Sequence, residues 1–292
     1  MASAELRLIR RRIRSVKSTM KITRAMELIA TARIPKARAR VTANQPYTAK
    51  MTEVIRNIAA ASGGLQHPLL ERREVKTAGI VVVTSDRGLA GGYNTNLIRM
   101  TERHILDQRH QGRHVRLYTV GQKAESYFRY RKYQLERSWI GVTDTPVYGD
   151  ARSIANVVLN EYQDGAVDSV DMFTTRFVSA LTQTPALWPL LPIEPPDMSE
   201  VDGTPAGYNF EPEPGEILDR LLPRYLEGSV FGVLLEASAS EHAARRRAMK
   251  AATENAEELT RVLTREANQA RQAEVTTEIS EIVGGAEALT GG

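Results

Sequence analysis

The first sixty residues carry one apolar stripe, and its mate lies at the opposite end of the chain. Leu6, Ile9, Ile13, Val16, Met20 and Thr23 fall at alternating steps of three and four, and the stripe resumes at Ala37, Val41, Asn44, Thr48, Met51, Ile55 and Ile58. That spacing is the seam of a coiled coil. It predicts one helix of about 56 residues, near 84 Å long at ~1.5 Å per residue. Ser3 is its expected N-cap, and Ser62-Gly63-Gly64 its expected end. Pro35 and Pro46 interrupt the stripe without shifting its phase. Each removes a backbone donor at about 3 kcal/mol, so kinks are expected and termination is not. From Glu216 a second stripe runs through Leu234, Leu235, Met249, Ala252, Ala256, Leu259, Leu263, Ala267 and Ala270 to Ile279 and Val283. Pro223 stands near its start, and Gly284-Gly285 is the expected stop. That makes about 68 residues, or ~100 Å if continuous. A long helix with a polar outer face needs a partner, and an antiparallel pairing of the two arms provides one.

Charge supports the pairing. Residues 1–60 hold fourteen Lys/Arg against three Asp/Glu, a net of +11, and residues 200–292 hold nine against seventeen, a net of −8. The whole chain is only +4, so the arms can neutralise each other. With no cysteine, disulfides, thiolate metal sites and cysteine nucleophiles are excluded. No apolar run approaches the ~20 residues of a membrane span, and the opening residues lack a secretory h-region. A cytoplasmic location is expected.

Between the arms the period changes. Ala78–Thr84 is a continuous apolar run and reads as a buried strand. A helix is expected over Asn94–Gln111, a strand over Val115–Val120, a helix over Gln122–Lys132, and a third helix, capped by Asp150, to Tyr162. Val170–Ala180 and Leu187–Ile193 read as further strands. Pro195–Pro214 reads as a loop. The fold class is α/β: a long antiparallel coiled coil of N- and C-terminal helices plus a small Rossmann-like domain with a mainly parallel sheet. The expected division is 1–62, 63–214 and 215–292.

Three stretches carry a family resemblance: Ile13-Arg14-Ser15-Val16-Lys17-Ser18-Thr19-Met20-Lys21-Ile22-Thr23-Arg24-Ala25-Met26-Glu27-Leu28-Ile29-Ala30, then Thr84-Ser85-Asp86-Arg87-Gly88-Leu89-Ala90-Gly91-Gly92-Tyr93-Asn94, and finally Ser240-Glu241-His242-Ala243-Ala244-Arg245 followed by Ala270-Arg271-Gln272-Ala273 and Ile279-Ser280-Glu281-Ile282-Val283-Gly284-Gly285. In order and spacing they resemble the gamma subunits of F-type ATP synthase, from about Leu6 to Leu289. Pro35 departs from the family's usual pattern. The resemblance implies a rotor shaft, one copy per complex, inside an alpha3-beta3 hexamer, with its foot against an epsilon subunit and the c-ring of the membrane sector. It implies a peripheral place on the cytoplasmic face of the cell membrane, without insertion into it. It also implies that the chain is no catalyst and holds no cofactor, since ATP, ADP and Mg²⁺ bind the partner subunits.

Carried over residue by residue, the resemblance points to Lys17, Lys21, Arg24 and Arg33 as contacts to acidic loops of the beta subunits. Arg271 and Gln272 match a hydrogen-bonding catch, with Thr276, Glu278 and Glu281 beyond it. Ile282, Val283 and Leu289 match an apolar bearing, and Tyr208, Phe210 and Glu211 the foot. Asp86, Arg87, Gly88, Gly91, Gly92 and Asn94 match the signature loop.

Blander and rival readings stand beside these. The signature loop follows a strand and precedes a helix, where phosphate loops sit, but it is neither GxGxxG nor GxxxxGK[ST]; a tight turn needing glycine is the simpler reading. Arg10-Arg11-Arg12 and Arg245-Arg246-Arg247 read as solvated faces, and His104 and His110 as exposed on one helix. The histidines do not fall at metal-ligand spacing. Two rival functions remain on sequence: a coiled-coil nucleic-acid binder using the basic arm, which lacks stacking aromatics, and a nucleotide-dependent α/β enzyme.

Overall fold

The computed structural model describes residues 4–61, 67–194, 211 and 213–290. Two helices dominate it, α1 (Ala4–Ala61) and the C-terminal helix (Pro214–Thr290), and eight shorter elements lie between them. These are β1 (Thr77–Val83), α2 (Tyr93–His110), β2 (His114–Val120), α3 (Gln122–Tyr130), β3 (Leu135–Trp139), α4 (Tyr148–Gln163), β4 (Ser169–Phe177) and β5 (Gln183–Leu191), which makes the C-terminal helix α5. The chain divides into two compact units, Met1–Ile29 with Arg246–Gly292, and Ala30–Arg245.

In the first unit the two helices pair along one seam. Leu6, Ile9, Leu263 and Ala267 are buried together, with Ile13, Val16 and Ala270 against them. Thr23 and Thr253 share a buried hydrogen bond of 2.8 Å. A low number on α1 meets a high number on α5, so the pair is antiparallel. The α5 side of the seam is Met249, Thr253, Ala256, Leu263 and Ala267, all buried, and with the half-buried Thr260 the steps alternate between four and three. The expected stripe through Ala252 and Leu259 is corrected: Leu259 is 42% exposed. Two threonines, 253 and 260, hold seam positions, and each returns its hydroxyl to the carbonyl four residues back. A search for apolar residues alone passes over them.

The second unit is built on a five-stranded sheet in the order β3-β2-β1-β4-β5. The first four strands are parallel, and β5 runs antiparallel to β4. Ile80 and Val82 face one layer with Leu97, Ile105, Ala124 and Phe128 of α2 and α3. Val81 and Val83 face the other, with Ile154 and Val158 of α4, Ile55 and Ile58 of α1, and Leu222 and Val230 of α5. A strand covered on both faces has no polar side, which is why β1 reads as a continuous apolar run.

Neither Pro35 nor Pro46 ends α1; burial of Ile34, Ala37, Ile55 and Ile58 around them supplies stabilisation that offsets the lost backbone bonds. Strand β3 was not anticipated: its sequence, Leu-Glu-Arg-Ser-Trp, is at an edge and mostly half-exposed. The stop at Gly284-Gly285 is also corrected, because α5 runs through it to Thr290. Asp150 is not the N-cap of α4. Val147 is, and Asp150 reaches back from the third position to its backbone N–H at 2.8 Å. Ser3 and Ser62-Gly63-Gly64 lie outside the described residues.

Candidate functional site

The signature loop leaves β1 at the point where the sheet order reverses. β1 has β2 on one side and β4 on the other, and doubly wound folds bind ligands outside the carboxyl ends of the strands at such a switch point. Here the chain's own helix occupies that place. Ser240 of α5 donates its hydroxyl to the carbonyl of Thr175 near the end of β4 (3.0 Å). Tyr93, just after the loop, donates to the carbonyl of Ala237 (3.1 Å). Arg245 donates through Nη2 to the carbonyls of Arg87 and Gly88, both at 3.3 Å.

Arg245 also pairs through Nη1 with Glu241 Oε1 at 2.7 Å, and the two side chains are only 9% and 2% exposed. Burial raises the Glu241 carboxyl above its usual range, and Arg245 works against that rise. Burial likewise pushes the Tyr93 phenol well up, with the Glu241 charge adding to it. Reading Arg245 as part of a solvated arginine face is therefore corrected: it is a buried cation bridging a buried carboxylate and two loop carbonyls. Arg10, Arg11 and Arg12 are exposed as expected.

Within the loop, Asp86 is the hub. Its Oδ1 accepts from the backbone N–H of Gln122 (3.1 Å) and Gly141 (2.8 Å). Its Oδ2 accepts from the N–H and hydroxyl of Thr143 (3.1 and 2.9 Å). Gln122 opens α3, so a carboxylate already sits on the helix N-terminus that a phosphate would need. Like charge disfavours a second anion there, which argues against reading this turn as a phosphate cradle. Asn94 Oδ1 accepts from the N–H of Ser85 (2.9 Å), closing the loop. Gly121 is required by close approach: its φ is +96°, and a Cβ would lie 2.3 Å from the carbonyl oxygen of Thr84. Gly91 also has positive φ, +59°.

A second contact to α5 passes through Asp144. It pairs with Arg33 of α1 at 2.5 Å and accepts through its carbonyl from Ser238 at 2.9 Å. His242 Nε2 lies 3.9 Å from its carboxylate. The His242 ring is buried, and its Nδ1 has no hydrogen-bond partner among the described residues. Burial lowers its pKa, and the charges of Arg245 and Arg33 add to that, while Asp144 opposes it. Arg33 is thus already paired within the chain, whereas Lys17, Lys21 and Arg24 are exposed on α1. Asp144 is not legible in the sequence as a partner of Arg33, Ser238 or His242, since it lies about a hundred residues from each; Glu241 and Arg245 stand one helical turn apart, but their spacing does not reveal that the pair is buried.

On α5, Arg271, Gln272, Thr276, Glu278 and Glu281 are all exposed, and the Thr276 hydroxyl bonds back to the carbonyl of Gln272 (2.9 Å). Ile282 and Val283 are 71% and 50% exposed. Leu289 lies in the last turn, and its side chain is outside the described residues. Tyr208 and Phe210 are outside them too, while Glu211 is exposed. His104 is corrected: it is partly covered, 3.5 Å from Asp171 and tilted at 53° against Phe173 with ring centres 5.0 Å apart. His110 is exposed. Among the described residues no group of three or more His, Asp or Glu converges to hold a metal. No described helix is long and apolar enough to cross a membrane.

Residues 5–289 match the family model for ATP synthase. The chain is 49% identical to the ATP synthase gamma chain of Saccharopolyspora erythraea, covering 98% of each chain. This chain belongs to the ATP synthase gamma family. The gamma chain of Mycolicibacterium smegmatis is 47% identical, covering 99% of each. Among solved structures, a chain of the Euglena gracilis mitochondrial ATP synthase, from an OSCP/F1/c-ring assembly, shares the fold with a TM-score of 0.70 at 18% identity, over 98% of this chain and 94% of that one. A chain of the central stalk and c-ring of the Tetrahymena thermophila mitochondrial ATP synthase superposes with a TM-score of 0.60 at 24% identity, over 79% of this chain and 99% of that one. Membership in the gamma family sets both rival functions aside.

Proposed function

We propose that the chain is the central rotor shaft of an F-type ATP synthase, transmitting c-ring rotation to the beta subunits of a surrounding alpha3-beta3 head. The observation that carries this reading is the outer surface of the two-helix unit. A pair of helices has one seam and no second core, yet Leu8, Ile22, Leu28 and Ile29 of α1 are 55–62% exposed, and Ile279 and Ile282 of α5 are 56% and 71% exposed. Apolar residues spread over an outer face are expected where partners cover it, and an encircling ring covers every side.

Coupling then follows from asymmetry. The two helices differ in charge and side chains, so three surrounding subunits meet different faces at any instant. Differential contacts bias each toward one conformation, which is what coupling requires thermodynamically. Lys17, Lys21 and Arg24 face acidic partner loops, with Arg33 available to them in exchange for Asp144. Arg271 and Gln272, with Thr276, Glu278 and Glu281, form the catch. Ile282, Val283 and Leu289 form the bearing. Tyr208, Phe210 and Glu211 meet the c-ring and epsilon. Nucleotide, Mg²⁺ and catalysis belong to the beta subunits, and one copy of this chain serves each complex at the cytoplasmic face of the membrane.

The test is ATP synthesis in inverted membrane vesicles carrying Arg271→Glu or Gln272→Ala. Both side chains are exposed, so assembly should survive while coupled synthesis falls about 10-fold, as expected for loss of a charge-assisted contact of about 1.5 kcal/mol. Synthesis at the wild-type rate removes these residues from the catch. Failure of the tagged chain to bring down ring subunits removes the rotor reading altogether.

A further inference from the structure

A cavity of about 700 Å³ opens between α1, α5 and the edge strand β5, and its lining residues all lie in the second unit. Where the two helices meet over it, a Cβ on Gly232 would stand 3.1 Å from Asn44 Nδ2, and one on Gly228 3.1 Å from Tyr47 Cε1. Low numbers on α1 therefore face high numbers on α5 here too, and that orders the lining. Glu236 and Val41 close one end, while Trp188, Tyr225 and Arg56 close the other. From Tyr225 to Glu236 the helix rises ~16 Å at ~1.5 Å per residue. Spread over that length, 700 Å³ leaves a cross-section of roughly 40 Å². A helix about 10 Å across does not fit, but one alkyl chain or ring system does, and the volume is that of a small-molecule site.

The two ends differ in chemistry. Glu236 is half-buried and makes no hydrogen bond or ion pair among the described residues. A carboxylate drawn out of water without a counter-charge is costly, and a cation beside it removes that cost. At the far end the charge is already answered: Glu53 pairs with Lys50 at 2.6 Å, and Arg56 stands beside it. What that end offers instead is aromatic surface. Tyr225 is packed against the main core, which fixes its ring, and Trp188 is 37% exposed. Between the ends Thr48 and Ser229 supply hydroxyls but no charge.

We infer that this groove binds an elongated amphipathic amine, with its ammonium on Glu236 and its apolar or aromatic body along Trp188 and Tyr225. The inference stands apart from the rotor reading, since it needs no partner subunit.

The test titrates the isolated full chain with dansylcadaverine, an aromatic body on an alkyl chain ending in an ammonium, whose emission rises as it leaves water. Binding should saturate at one probe per chain with a Kd of about 10 μM, the range for a ligand of this size. Glu236→Gln keeps the shape and removes the charge. It should weaken binding about 10-fold, while the Tm of the chain stays level or rises, because a half-buried charge without a partner is gone. Ser229→Trp should fill the middle of the groove and abolish saturation. No saturable rise below about 1 mM, equal affinity for the same body ending in a carboxylate, or wild-type affinity in either variant would each overturn the site. So would a fall in the Tm of Glu236→Gln, which would mark the carboxylate as already satisfied within the chain.

Discussion

Removal of the Arg245 side chain should be the most damaging single change to the second unit that leaves every apolar core residue in place. Arg245→Ala strands Glu241, whose side chain is 2% exposed and whose Oε1 sits 2.7 Å from the guanidinium. It also takes the donor from the carbonyls of Arg87 and Gly88. Breaking a buried pair from one side costs about 3–5 kcal/mol, because the remaining charge is uncompensated. The carboxylate then escapes by protonation. Its pKa is already raised by burial against the pull of Arg245, and without the arginine it rises further. A carboxyl with a raised folded pKa adds stability that is fully present below its unfolded pKa and is lost as pH rises through the folded value. Arg245→Ala should therefore be closest to wild type in acid and diverge from it toward neutral pH. Urea unfolding followed by tryptophan fluorescence reads this directly, since Trp139 and Trp188 both lie in the second unit. Replacing both partners, Glu241→Gln with Arg245→Met, should recover most of the loss. A single variant within about 1 kcal/mol of wild type at pH 7, the range of exposed pairs, would refute the buried-bridge argument.

Two further outcomes follow from the same geometry. His242 is held neutral by burial, with its pKa lowered; the unfolded chain takes up that proton first, so stability should fall as pH drops through the usual histidine range and level off below the lowered folded pKa. Glu241 acts in the opposite sense, so the measurement is the difference between wild type and His242→Leu in urea titrations across that range, and a slope unchanged by the substitution would count against it. Gly121→Ala should destabilise by at least about 3 kcal/mol, since left-handed strain is joined by a clash with backbone; the Cβ would stand 2.3 Å from the Thr84 oxygen, and a soluble variant with wild-type unfolding would show the approach is looser than drawn.

The sequence alone determined the features that repeat. A helix seam is legible because the same face is buried every three or four residues, so Leu6, Ile9 and Ile13 announce it without any partner in view. β1 is legible because both of its faces are covered, leaving a run with no polar residue from Ala78 to Val83. Strand β3 escaped because an edge strand of Leu-Glu-Arg-Ser-Trp buries too little to leave a period. Gly284-Gly285 misled because glycine permits a helix stop without enforcing one, and α5 continues through it.

Tertiary structure decided the fate of single side chains. In the run Arg245-Arg246-Arg247 nothing local marks the first as buried; it is buried because α5 crosses the carboxyl ends of β1 and β4, where the carbonyls of Arg87 and Gly88 meet it, and the same crossing buries Glu241, its partner one turn earlier on α5. Asp144 holds Arg33 from 111 positions away, and Thr23 finds Thr253 across 230. Periodicity records that a face is covered; which group covers it depends on the path of the chain in space, and no window of sequence contains that path.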